Sequence, residues 1–111
     1  MVSFSFQFAG KKITIDVKEC RDVFSQARGL MFRRDSPALL FIFKRKTHQS
    51  IHSFFCKNFI ALWFDGERVI DVQHIDRRRF FIYPRKSFDR LLEIPAGHWC
   101  YKKIIDDLQK I

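Results

Sequence analysis

No apolar run in this 111-residue chain approaches the roughly 20 residues a helix needs to cross a bilayer. The start, Met1-Val2-Ser3-Phe4-Ser5-Phe6, has neither the basic opening nor the continuous apolar stretch of a secretory signal. The expectation is a soluble, cytoplasmic protein with no membrane insertion. There are three cysteines, Cys20, Cys56 and Cys100. An odd number at wide spacing argues against a disulfide framework, and free buried thiols are the expected state. No Cys-x-x-Cys pair exists, so the usual close pairs of a structural zinc site are missing. Glycine and proline are scarce, at four and three residues, and no linker, repeat or low-complexity stretch interrupts the chain. One domain over residues 1–111 follows.

Phenylalanine is abundant instead, with 14 residues, so the core should be aromatic. A buried aromatic side chain removes about 150–250 Å² from water, so a few can dominate stability. The net charge is +9, and it is segregated. Residues 28–57 hold Arg28, Arg33, Arg34, Lys44, Arg45, Lys46 and Lys57 against Asp35 alone. Residues 77–90 hold Arg77, Arg78, Arg79, Arg85, Lys86 and Arg90 against Asp89 alone. If folding joins these segments, they form one positive lobe suited to an anionic partner.

Val2, Phe4, Phe6 and Phe8 alternate with polar residues, as do Ile13, Ile15 and Val17. With the Ala9-Gly10-Lys11 turn between them, they predict a hairpin. Glu19–Arg28 changes to a helical period, with Asp22 as its cap and Gly29 as its stop. Strands are expected at 38–43, 50–56, 60–64, 67–75, 80–83 and 88–94, with Asp65-Gly66 as a hairpin turn. In the 67–75 strand the side with Ile70 and Val72 is not cleanly apolar, which predicts an edge position. From Tyr101 the helical period returns through Ile104, Ile105, Leu108 and Ile111. These elements add up to a mainly-β domain. The expected form is a β-sandwich or flattened barrel of seven to eight short strands with two helices.

Four ordered segments carry a family resemblance. They are Arg28-Gly29-Leu30-Met31-Phe32-Arg33, Leu39-Leu40-Phe41-Ile42-Phe43, Ile51-His52-Ser53-Phe54-Phe55 and Leu91-Leu92-Glu93-Ile94-Pro95-Ala96-Gly97. Together they resemble Domain of Unknown Function family 192 over about residues 11–97. The resemblance implies the same mainly-β fold and brings no established chemistry. The chain departs from the family pattern after the central aromatic segment. There Cys56-Lys57-Asn58-Phe59 stands where relatives carry a Pro and an Asp. A C-terminal helix also replaces a Gly-Asp turn into a last strand. A retained scaffold with an altered site is the implication.

Catalytic readings find little footing. His48, His52, His74 and His98 with Cys56 and Cys100 supply metal-ligand types but no ligand-pair spacing, so no metal or cofactor is expected. A thiol nucleophile needs a partly exposed, electropositive setting. Cys56 lies among phenylalanines, where burial would silence it. Of the strand acids Asp65, Asp71 and Glu93, the last is expected to pair with Arg28 or Arg33. The best-supported active role is binding of an anion, with nucleic acid leading. Clustered Lys and Arg meet phosphates, and exposed aromatics stack bases. The run from Arg77 to Lys86 offers both, with Tyr83 and one of Phe80 or Phe81 expected outward on opposite sides of a strand. The candidate residues are Arg28, Arg33, Arg34, Arg77, Arg78, Arg79, Tyr83, Arg85 and Lys86. The alternative partner is a small anionic ligand or acidic protein at the arginine-rich signature loop. A Cys/His enzyme is the distant third.

Overall fold

Six strands form one sheet. They are β1 (Val2–Phe8), β2 (Lys11–Cys20), β3 (Ala38–Thr47), β4 (Phe59–Asp65), β5 (Arg68–Ile75) and β6 (Phe88–Pro95). Among the described residues one helix, α1 (Trp99–Gln109), follows. This computed structural model describes residues 1–22, 36–53, 56–76, 78–79 and 81–110. The strand order is β1-β2-β3-β6-β4-β5, so β5 is an edge strand as its mixed pattern predicts. All pairings are antiparallel except β2 with β3.

The two hairpins follow from local chemistry. At the first, Ala9 and Gly10 both take positive φ, at 52° and 76°, matching the turn twist that two-residue hairpins favour. At the second, Gly66 has φ of 64°. Its amide donates to the Asp89 carboxylate on β6 at 2.9 Å, which ties the turn to the sheet.

The sheet curls, and its two faces build two cores. On the inner face Phe4 and Phe6 of β1 reach across to Phe64 of β4. Their ring centroids lie 5.2 and 5.5 Å away, both in edge-on geometry. Ile13, Ile15, Leu40, Leu62 and Leu92 complete this cluster, and α1 adds Cys100 and Ile104. On the outer face Leu39, Phe41, Phe59, Trp63, Phe88 and Leu91 form the second. Central strands β3, β4 and β6 contribute to both, which explains their continuous apolar runs. The helix is fixed by a His98 cap, whose Nδ1 accepts from the Cys100 amide at 3.1 Å. Burial holds the His98 pKa below its ordinary value, which keeps that nitrogen an acceptor. A hydrogen bond between His74 and the Tyr101 hydroxyl clips the helix to β5.

Several sequence expectations need correction. The described residues form one curled six-stranded sheet, not a two-sheet sandwich of seven or eight strands. Among the described residues of the segments expected as strands at 50–56 and 80–83, the ladder pairing is a single bridge, Ile51 with Ile82. The Cys56 amide donates to the Ser53 carbonyl at 3.2 Å, and residues 54, 55 and 80 lie outside the described residues. Glu19 and Cys20, assigned to a helix, belong to β2. Cys20 is buried and pairs with Phe41 across the parallel ladder, so outer-core burial overrides the local helical period. The remainder of that helix, residues 23–28, lies outside the described residues, as does the arginine-rich signature at 28–34. The polar link after Phe43 is also strand, since β3 runs on through a register irregularity to pair Thr47 with Phe88.

Candidate anion-binding surface

The outer core needs a cover, and the chain from Arg78 to Ser87 supplies it. Ile82 is fully buried in that core, beside Phe88 and Trp63. Its flanking backbone pairs with residue 51 by two hydrogen bonds, Ile51 N to Ile82 O at 3.0 Å and Ile82 N to Ile51 O at 2.9 Å. One end of the segment is held by Ser53. Its amide donates to the Arg79 carbonyl at 2.9 Å, and its hydroxyl accepts from the Arg79 amide at 2.7 Å. The other end is held by β5. Gln73 donates to the Tyr83 carbonyl at 2.8 Å, and the Arg85 amide donates to Asp71 at 3.1 Å. His48 Nε2 meets the Pro84 carbonyl at 2.8 Å.

These bonds run residues 47–53 antiparallel to residues 79 and 81–88. The described parts of the two cationic segments, remote in sequence, are therefore neighbours. Arg78, Arg79, Arg85 and Lys86 are exposed on this cover, and Lys44, Arg45 and Lys46 are exposed on the adjoining end of β3. Arg85 is partly neutralised, because its Nε lies 3.6 Å from the nearly buried Asp71 carboxylate. Lys46 pairs with Asp65 at 2.9 Å. Phe81 and Tyr83 are exposed, at 69% and 52%. They flank the buried Ile82 and so share one side of the segment; Phe80, the other ring the sequence offers opposite Tyr83, lies outside the described residues. Arg28, Arg33, Arg34, Arg77 and Phe80 lie outside the described residues.

Among the described residues, a cleft borders the cover at each end. Near its start, a cavity of about 200 Å³ is lined by Ser53, Cys56, Lys57, Asn58, Asp76 and Arg78. Near its end, one of about 360 Å³ is lined by Lys46, Asp65, Arg68, Lys86 and Ser87. Both carry cations and hydroxyl groups, the donors that oxyanions accept from.

The thiols and Glu93 are tuned differently. Burial, helped by the Glu93 charge, pushes the Cys56 thiol up to about 11. Burial also raises Cys100, with the Lys103 charge opposing it. Neither is a thiolate at neutral pH, which removes the activation a nucleophile needs. Glu93 occupies β6 between Leu39 of β3 and Ala61 of β4, on the outer-core face. It is 5% exposed, and burial lifts its carboxyl to about 8, so at neutral pH it mostly holds its proton. Its expected partners Arg28 and Arg33 lie outside the described residues. Among the described residues no group of three His, Cys, Asp or Glu side chains could hold a metal ion. No described helix is long and apolar enough to cross a membrane.

Sequence reasoning missed the residues that fix the cover: Ser53, Asp71, Gln73 and Ile82. Of these, Asp71 left a trace, as one of the strand acids.

No family model matches the chain. It is similar to a UPF0127 protein of the archaeon Pyrococcus furiosus, with 28% identity over 92 residues, covering 79% of this chain and 78% of the relative. Among solved structures, a candidate transcription regulator from Sinorhizobium meliloti 1021 superposes with a TM-score of 0.72 at 18% identity. The match covers 86% of this chain and 79% of that one. A protein of unknown function from Novosphingobium aromaticivorans gives a TM-score of 0.69 at 17% identity, covering 86% and 72%. At these identities the likeness establishes the fold and leaves the function open.

Proposed function

We propose that this chain is a non-catalytic, cytoplasmic binding domain of the Domain of Unknown Function 192 type, whose partner is the phosphate backbone of a nucleic acid. The observation that carries this reading is the antiparallel contact of residues 47–53 with 79 and 81–88. It gathers the exposed cations of both basic segments into one lobe. Such a lobe draws a polyanion over a distance of about a Debye length, near 8 Å at physiological salt. The protonated state of Cys56 and Cys100 supports a binding role over thiol chemistry. The name of the Sinorhizobium protein is compatible with this reading and adds nothing residue-specific to it.

Fluorescence anisotropy of a labelled oligonucleotide tests the proposal. Affinity should fall linearly on a log–log salt plot. The triple change Arg78→Ala, Arg79→Ala and Lys86→Ala should flatten the slope by about two to three units, since each lost phosphate contact removes roughly 0.7–0.9. No binding at low salt would overturn the reading.

A further inference from the structure

We infer that the nucleic acid recognised here is single-stranded, with its bases stacked on Phe81 and Tyr83 and its phosphates held in the two clefts at the ends of the cover. This deepens the nucleic-acid reading above and rests on it.

Three observations converge. First, the two exposed rings alternate with a buried anchor: Ile82 is sunk in the outer core, which turns Phe81 and Tyr83 outward together. Exposing two aromatic rings forfeits apolar burial, roughly 25 cal/mol for each Å² left in water. Second, the rings stand on a braced support. Ser53, Gln73, Asp71 and His48 hold the backbone from Arg79 to Arg85 at four points. The His48 ring lies 5.9 Å from that of Tyr83, limiting where the tyrosine can swing. Ordering of the support is thus complete before a partner arrives, which removes part of the entropic cost of binding. Third, a cation-lined cleft lies at each end, with Arg78 in one and Lys86 in the other. Cations at the ends and aromatics between is the arrangement that tracks a flexible strand.

A duplex cannot use it in the same way. Its bases are already stacked on one another, and their faces are closed to a protein ring. The eight-residue step from Arg78 to Lys86 spans at most about 29 Å even when fully extended. The footprint therefore belongs at the short end of the roughly 4–16 nucleotides typical of single-strand platforms.

Anisotropy with a labelled oligothymidine and a blunt duplex of equal length decides the matter, with circular dichroism confirming that each variant folds. The single strand should bind at least tenfold more tightly than the duplex. Phe81→Ala and Tyr83→Ala should each weaken single-strand binding about five- to hundredfold, leave the salt slope unchanged and leave duplex binding alone. Tyr83→Phe should retain affinity, because it keeps the ring. Equal binding of both forms with silent Phe81→Ala and Tyr83→Ala variants would overturn the single-strand inference while the wider reading stands. Binding of neither form would overturn both.

Discussion

Replacing Glu93 by glutamine should make this protein more stable at alkaline pH and leave it unchanged at mildly acidic pH. The carboxyl sits in the middle of the sheet, between Leu39 and Ala61, with its pKa lifted by burial from 4.5 to about 8. The folded state therefore holds the proton more tightly than the unfolded chain does. Stability from this group is complete below pH 4.5, declines as the pH climbs towards 8, and levels off above it. A shift of that size, at about 1.36 kcal/mol per unit, amounts to something on the order of 5 kcal/mol across the window. Glutamine keeps the shape and does not titrate. Urea unfolding of parent and Glu93→Gln at a series of pH values isolates the effect, because the histidines contribute equally to both and cancel in the difference. Near pH 5 the two should agree within about 1 kcal/mol, while near pH 8.5 the variant should lead by several kcal/mol. For a domain of this size each kcal/mol corresponds to about 4 °C in Tm, so thermal melts should show the same divergence. A difference that does not vary with pH would refute the reasoning. A variant that instead loses stability as the pH rises would mean that Glu93 is ionised and paired with a cation, the arrangement the sequence suggests through Arg28 or Arg33.

Two further perturbations address the cover and the thiols. Ile82→Ala should cost about 2–5 kcal/mol in denaturant unfolding and speed chymotryptic cleavage beside Phe81 and Tyr83, because it removes the buried anchor; unchanged cleavage would show that the backbone bonds alone hold the segment. Cys56, lifted from 9.0 to about 11, should react with iodoacetamide at neutral pH on the order of a hundredfold more slowly than an unperturbed thiol, since only the thiolate attacks; fast labelling would restore the Cys/His enzyme reading.

Strand alternation was legible wherever one face of a strand meets water. Phe4 and Phe6 lie buried opposite Ile15 and Ile13, and Phe8 and Val17 are buried on the same face, while Val2, opposite Val17, stays exposed at the end of its strand. The edge position of β5 was legible too, from the mixed character of the side that carries Ile70 and Val72. Failures came where tertiary contacts outweighed local preference. Glu19 and Cys20 carry a helical period, yet a parallel partner strand and the outer core claim Cys20 for β2. The 50–56 and 80–83 segments have strand-like composition, but among their described residues each contributes one bridging residue. At the candidate site, composition identified the cations and Tyr83. It could not supply their proximity, because the joining bonds are backbone bonds from Ser53 and Ile51, and no side-chain pattern encodes their partners. Nor could it supply the state of Glu93, since the depth of a residue in a sheet depends on which strands flank it.

The acids nearest the lobe explain how a cationic surface survives folding. Asp71 accepts from the Val72 amide at 2.9 Å, the Arg85 amide at 3.1 Å and the Gln73 side chain at 3.2 Å. Asp89 accepts from the Gly66 amide. Both carboxylates therefore serve backbone donors, which a neutral acceptor could satisfy less strongly. The Asp71 carboxylate is nearly buried and, among the described residues, meets Arg85 directly, while Asp65 pairs with Lys46 at the surface. A chain selected for solubility alone would gain from spacing Asp and Glu between its arginines on the outside. Here Asp71 braces the segment while Arg78, Arg79 and Lys86 stay exposed, so the positive potential depends on how the cover is built as well as on composition. It follows that Asp71→Asn, which keeps an acceptor and deletes a charge, should loosen the cover slightly and yet raise affinity for a polyanion; a fall in both would mean that bracing, not field, limits binding.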